Sequence, residues 1–213
     1  VANYYDISPQ LHEDIAVFPG DQPFQRAIKM SFGSGDHLEL SSIQASLHVG
    51  AHADAPSHYG ASGQSIETRD LNLYIGPCSI IKISAQPGER IGVKHLSGRA
   101  RYQKRVLFAT ASFPDPDVWR PNFNSLSSEL IHYLADQGVK LVGIDTPSVD
   151  PADSKLLESH QALLKLDMAV LEGLVLTSVS EGEYFLVALP LSIRNADASP
   201  VRAVLWPLEH QWR

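Results

Sequence analysis

His48-Val49-Gly50-Ala51-His52-Ala53-Asp54-Ala55-Pro56-Ser57-His58 holds a third of the chain's 9 histidines, together with one aspartate. His48, His52, Asp54 and His58 all fall on even positions. Side chains of an extended strand alternate between faces with period two, so an extended segment points all four polar groups one way. The odd positions Val49, Ala51, Ala53, Ala55 and Ser57 are small and mostly apolar, as suits a packed side. At about 3.3 Å per residue, His52 and Asp54 lie roughly 7 Å apart along a strand, close enough to share an ion. His48 and His52 would lie about 13 Å apart in a straight strand, which is too far. Gly50 sits between them and permits a bend or a bulge. A helix would pair His48 with His52 but turn Asp54 about 160° away from His52. Gly50 and Pro56 also oppose a helix interior. The segment is therefore expected to be a bent strand leading into a loop at Pro56.

Imidazole nitrogens with a carboxylate suit zinc, and also manganese or non-haem iron. A single aspartate among histidines can bridge two ions, and further ligands must then come from elsewhere. His160 and Glu172 are the candidates. Glu172 lies in the apolar stretch Met168-Ala169-Val170-Leu171-Glu172-Gly173-Leu174. A charge there is costly to bury unless it is paired or metal-bound. His160 alone reads as a surface helix residue, and a shortage of ligands for a second ion is what recruits it. A turn between His160 and Glu172 is needed for both to reach one metal.

Outward from this segment, strand-like runs dominate. They are Phe24–Phe32, Leu38–Ile43, Cys78–Ile83, Val106–Ala109, Lys140–Ile144, Tyr184–Leu189 and Val201–Leu205. The clearest helix spans Ser127–Gln137, with serines before it, Glu129 in its first turn and Gly138 after it. A second short helix is expected over Lys155–Leu163. The whole reads as a β-rich mixed α/β single domain over residues 1–213, consistent with a length of 213 residues.

Composition narrows the function classes. Hydrophobic residues are 44% and charged residues 19%, a globular balance. The formal charge of −7 disfavours a general nucleic-acid binder. Cys78 is the single cysteine, so no intrachain disulfide is possible, which fits a reducing compartment. The most apolar stretch, Leu171–Ile193, carries Glu172, Glu181 and Glu183 and is no membrane span. No secretory signal is visible, and the expected location is cytoplasmic. Asp145 and Asp21 read first as turn residues. His12, His37, His95, His132 and His210 have no partner pattern and read as solvated or structural. No GxSxG elbow, Walker motif or dinucleotide fingerprint is present.

The segment His48-x-Gly50-Ala51-His52-x-Asp54-x-Pro56-x-His58 resembles the HxGTHxDxPxH signature of the cyclase family of metal-dependent hydrolases. Ala51 replaces the usual Thr, a position that is not a ligand. The likeness runs over nearly the whole chain. It includes Asp6-Ile7-Ser8-Pro9, Phe18-Pro19-Gly20-Asp21, Gly143–Pro151, Leu171-Glu172-Gly173-Leu174 and Asp197–Ala203. Ile144–Pro151 points to the branch of the family that deformylates aryl formamides. The resemblance implies a cyclase-like fold of the swivelling β/β/α type and a homodimer. It also implies two zinc ions, the first held by His48, His52 and Asp54. Asp54 would bridge to the second, completed by His160 and Glu172, with Glu172 also near the first. His58 would be the proton shuttle. Phe18 would line the substrate pocket where Trp is typical, keeping a stacking face and losing the indole N–H.

The activity so implied is hydrolysis of N-formyl-L-kynurenine to L-kynurenine and formate, a step of tryptophan degradation. Phe18 and Ala51 keep open another aryl or cyclic amide of the isatin type. A third alternative is a metal-binding protein without turnover, which would have a closed ligand set where a catalytic site keeps one position open.

Overall fold

The computed structural model describes residues 4–96, 98 and 101–208; His210, expected to be solvated or structural, lies outside them. Thirteen strands and three α-helices are present among the described residues. In chain order they are β1 (Tyr5–Asp6), β2 (Gln25–Met30), β3 (Leu40–Gln44), β4 (His52–Asp54), α1 (Pro56–Tyr59), β5 (Ile75–Lys82), β6 (Arg90–Ile91) and β7 (Arg105–Ala109). There follow β8 (Ser125–Leu126), α2 (Ser128–Asp136), β9 (Leu141–Ile144), α3 (Glu158–Leu166), β10 (Ala169–Glu172), β11 (Gly182–Val187), β12 (Ala198–Pro200) and β13 (Val204–Pro207). The expected mixed α/β class holds. No helix among the described residues is long and apolar enough to cross a membrane.

Nine strands make one sheet in the order β1-β13-β11-β5-β7-β9-β10-β4-β12. Its middle, β5-β7-β9-β10, is parallel, and the strands on either side are antiparallel. Parallel strands need both faces covered, which explains their near-continuous apolar runs. Alternation then divides the core. Ile80, Leu107 and Leu171 pack on one side, under the segments around Ile7, Ile66 and Leu174. Ile81, Val106, Phe108, Val142 and Val170 pack on the other, under Leu130, Ile131 and Leu134 of α2 and Leu163 of α3. Fully burying each such side chain contributes roughly 1.5–3 kcal/mol. β2 and β3 form a separate antiparallel ribbon, and Ile28, Leu40 and Ile43 on it are exposed.

The helix boundaries show which signals are local. Ser127 caps α2 as its sequence suggests, its hydroxyl accepting from the Leu130 N–H at 3.1 Å. The second helix begins at Glu158, three residues later than expected. Leu157 adopts a left-handed φ of 47°, which breaks helical continuity before it. The cap comes from a distant carboxylate: Asp150 accepts from the Ser159 N–H at 3.0 Å and the His160 N–H at 3.0 Å. A helix start fixed by a residue eight positions upstream leaves no signature at the start itself.

Two glycines let the segments that carry the site touch. Gly50 (φ +61°) turns the chain into β4, and Gly173 (φ +65°) turns it out of β10. A Cβ placed on Gly173 would lie 2.1 Å from the Gly50 carbonyl oxygen. Gly173→Ala is therefore expected to cost about 2–5 kcal/mol, from a forbidden backbone overlap and a strained φ. Thermal melting should read this as a drop of roughly 5–15 °C. An unchanged midpoint would show that the two backbones are not packed this closely.

Candidate metal centre and pocket

β4 supplies the centre's middle. His52 and Asp54 are two residues apart on one strand and share a face. The antiparallel register sets Glu172 of β10 directly opposite His52. Directly opposed residues in such a pair point to the same side, so the carboxylate meets the imidazole. Glu172 Oε2 lies 3.3 Å from His52 Nε2, and Glu172 Oε1 lies 3.3 Å from His160 Nε2. α3 brings in His160, and the left-handed Asp167 ends that helix before β10 starts. This supplies the turn that His160 and Glu172 require.

The expected bent strand is shorter than the parity pattern suggests. Only His52–Asp54 is strand; His48 lies in the turn before Gly50, and Pro56 opens the one-turn helix α1 instead of a loop. Proline is favoured at a helix's first position, because its missing N–H is not needed there. The bend at Gly50 does the work that a straight strand could not. His48 Nδ1 lies 2.9 Å from Asp54 Oδ1, and the His48 and His52 ring centroids are 5.1 Å apart. α1 in turn carries His58 to His48, with ring centroids 4.2 Å apart.

All six sequence-derived polar residues thus converge. His48, His52 and Asp54 offer ligand atoms within 4.8 Å of one another, and so do Asp54, His160 and Glu172. Asp54 belongs to both groups. A third group unites His48, His58 and Asp197.

Burial and hydrogen bonding show what these atoms lack. His52, Asp54, His160 and Glu172 are all buried. His52 Nε2, both Asp54 carboxylate oxygens and His160 Nε2 are buried without a hydrogen-bond partner. Buried polar atoms are rarely left so, because each costs about 1–3 kcal/mol. The far sides of both rings are occupied. His52 Nδ1 donates to the Gly50 carbonyl at 2.9 Å, and His160 Nδ1 donates to Asp150 Oδ2 at 2.8 Å. Each ring is left with Nε2 as the acceptor, aimed at the centre. That arrangement is the usual support of metal-bound imidazoles. The Val149 N–H donates to Glu172 Oε1 at 2.7 Å and fixes its carboxylate.

The electrostatics point the same way. Burial opposes charge on His48, but Asp54 and Asp197 outweigh it and push His48 up to about 9. Burial likewise opposes charge on His160, yet Asp150, Asp54 and Glu172 hold it well above its ordinary value. Burial would raise Asp54, but His160 and His48 keep it well below the usual carboxylate range. Burial and Asp54 work against ionised Glu172, and His160 and His52 prevail and lower it. The carboxylates make the centre a place that favours positive charge, as the raised His48 and His160 show. A divalent cation satisfies that demand with charge and with coordination to the orphaned atoms, displacing protons as it binds. The residues present therefore fit a metal.

A cavity of ≈ 560 Å³ adjoins the centre, within the usual range for small-molecule pockets. His48, His52, His58, His160 and Glu172 line its chemical part. Phe18 lines it as expected, set edge-on against Trp119 with centroids 4.8 Å apart. Sequence reading missed Trp119, which sits about a hundred positions away in the loop between β7 and β8.

It also missed two carboxylates. Asp150 is fully buried behind His160 and pairs with Arg90 as well. Asp197 Oδ2 lies 3.1 Å from His48 Nε2 and 3.5 Å from His58 Nδ1. Neither sits at a ligand-like spacing, so only tertiary contact exposes its part. Asp145 differs from expectation in its partner. It accepts from the Thr110 and Ala111 N–H groups at 2.9 Å each and so clamps the loop after β7, not its own turn.

Comparison with known proteins bears on the chain's family and fold. A kynurenine formamidase of Bordetella petrii is 45% identical over 202 residues, covering 94% of this chain and 96% of the relative. A solved structure described as a potential metal-dependent hydrolase with cyclase activity is 28% identical. It superposes with a TM-score of 0.81, covering 95% of this chain and 96% of the other. Isatin hydrolase A from Ralstonia solanacearum shares the fold, with a TM-score of 0.80 at 21% identity, covering 95% and 90% of the two chains. Residues 5–151 match the family model described as "Putative cyclase", and the chain belongs to that cyclase family.

Proposed function

We propose that this chain is a metal-dependent kynurenine formamidase, hydrolysing N-formyl-L-kynurenine to L-kynurenine and formate. The observation that carries the reading is the set of orphaned buried atoms on His52, Asp54 and His160, gathered beside a cavity with an aromatic wall. Two zinc ions are the proposed cofactors. His48, His52 and Asp54 would hold one, His160 and Glu172 the other, with Asp54 shared and Glu172 within reach of both groups. Bound there, the ions would lower the pKa of water to about 7 and polarise a carbonyl oxygen.

The chain's own residues do the rest. Phe18 and Trp119 present an aromatic corner to the aryl ring. Asp150 and the Gly50 carbonyl hold the His160 and His52 rings in the tautomer that turns Nε2 inward. His58 has 35% of its side chain exposed, at the edge of the centre, where it can meet both water and substrate. It takes a proton from the attacking water and returns it to the departing aniline nitrogen. Asp197, with Oδ2 3.5 Å from His58 Nδ1, stands beside the ring and helps to orient it. The proposed assembly is a homodimer, and the exposed apolar side chains of the β2–β3 ribbon support it.

The test measures metal and turnover together. Elemental analysis of the purified protein should find about two zinc per chain. Chelation should abolish hydrolysis of N-formyl-L-kynurenine, and added zinc should restore it. Full activity after exhaustive chelation would refute the metal mechanism. Metal without formamide turnover would move the reading to another amide.

A further inference from the structure

The cavity wall is strongly biased in charge. Asp21, Asp145, Asp197 and Glu172 all line it, and Lys155 is the one lysine or arginine among the described lining residues. The acids are engaged elsewhere. Asp21 Oδ2 accepts from Ser46 Oγ at 3.0 Å, Asp145 clamps Thr110 and Ala111, and Asp197 and Glu172 face histidines. Lys155 makes no ion pair among the described residues. Its loop is nevertheless pinned: the Ser154 N–H donates to the Pro151 carbonyl at 3.0 Å, and the Leu157 N–H donates to Ser154 Oγ at 3.1 Å. A flexible ammonium is thus mounted on a fixed base at the pocket wall.

We infer that Lys155 forms a carboxylate subsite, receiving the α-carboxylate of the substrate's amino-acid tail while the formamide sits at the centre. The inference rests on the formamidase reading and deepens it. N-formyl-L-kynurenine carries that carboxylate several bonds from its formamide. That tail is a zwitterion at neutral pH, so its carboxylate is oriented by an opposite charge on the wall and not by net attraction, and Lys155 is the one lysine or arginine among the described residues lining the wall. A neutral aryl or cyclic amide gains nothing from it. The subsite therefore also separates the two substrate classes left open by the sequence.

The experiment compares N-formyl-L-kynurenine with 2-formamidoacetophenone, which keeps the ring, ketone and formamide and lacks the tail. The readout is the ratio of their kcat/KM values on metal-loaded enzyme. Lys155→Met should lower that ratio roughly 10- to 100-fold, the worth of one charge-assisted hydrogen bond. Lys155→Arg should retain most of it. Calorimetric binding of L-kynurenine relative to 2-aminoacetophenone should shift in the same direction in Lys155→Met. An unchanged ratio in Lys155→Met, with both formamides turned over, would overturn the subsite and leave the formamidase reading standing. Failure of the loaded wild-type enzyme on both formamides would overturn that reading and the subsite with it.

Discussion

Asp54→Ala is expected to lose both bound metal and turnover. Among the described residues Asp54 is the side chain shared by the His48–His52–Asp54 and Asp54–His160–Glu172 groups, and neither of its oxygens has another hydrogen-bond partner there. On the proposed reading its removal would take a ligand from each of the two ions, and it takes away the charge that draws positive groups into the centre. Metal per chain should fall from about two to below one, and kcat/KM by a factor on the order of 10³ or more. The fold should survive, because His48 and His160, which the carboxylates hold above their ordinary value, can shed protons once the carboxylate is gone. Asp54→Asn, which keeps the shape and removes the charge, should show the same loss of metal. Full metal occupancy in both variants would refute the bridging role.

His58→Ala separates chemistry from metal binding. Its ring stands beside His48, and its nearest carboxylate is Asp197. If it moves protons, its loss should lower kcat by about 10²- to 10⁴-fold while metal per chain stays the same. The control matters because His48, His58 and Asp197 could themselves hold an ion. A parallel loss of one metal per chain would make His58 a ligand. Near-native turnover would remove it from the mechanism.

The sequence exposed the centre's members better than its geometry. Even-numbered parity correctly placed His52 and Asp54 on one face, because a strand lies there. The same parity grouped His48 and His58 with them for the wrong reason. A turn at Gly50 brings in the first, and the short helix after Pro56 brings in the second. Glu172 was suspect because a charge stood in an apolar run. Its position opposite His52, however, is a register fact between strands far apart in sequence. Asp150 and Asp197 were not legible as site residues. Their roles arise from contacts with His160, His48 and His58, across 10, 149 and 139 positions respectively. The late start of α3 has the same origin, a cap supplied from outside the helix.

The pairing of β4 with β10 bears on how the protein comes to hold its ions. His52 and Glu172 face each other although 172 − 52 = 120 positions separate them. Contacts of such separation form late and slowly, because a long loop must be closed before they reward the chain. A nascent chain on the ribosome has no centre to fill until residue 172 has emerged and β10 has docked. On the proposed reading, the complete ligand set can hold an ion only once these two distant strands have paired. Divalent ions compete for such sites by abundance as much as by affinity. The metal supply where that pairing is completed would then count, beside the ligand set, in which ion is loaded.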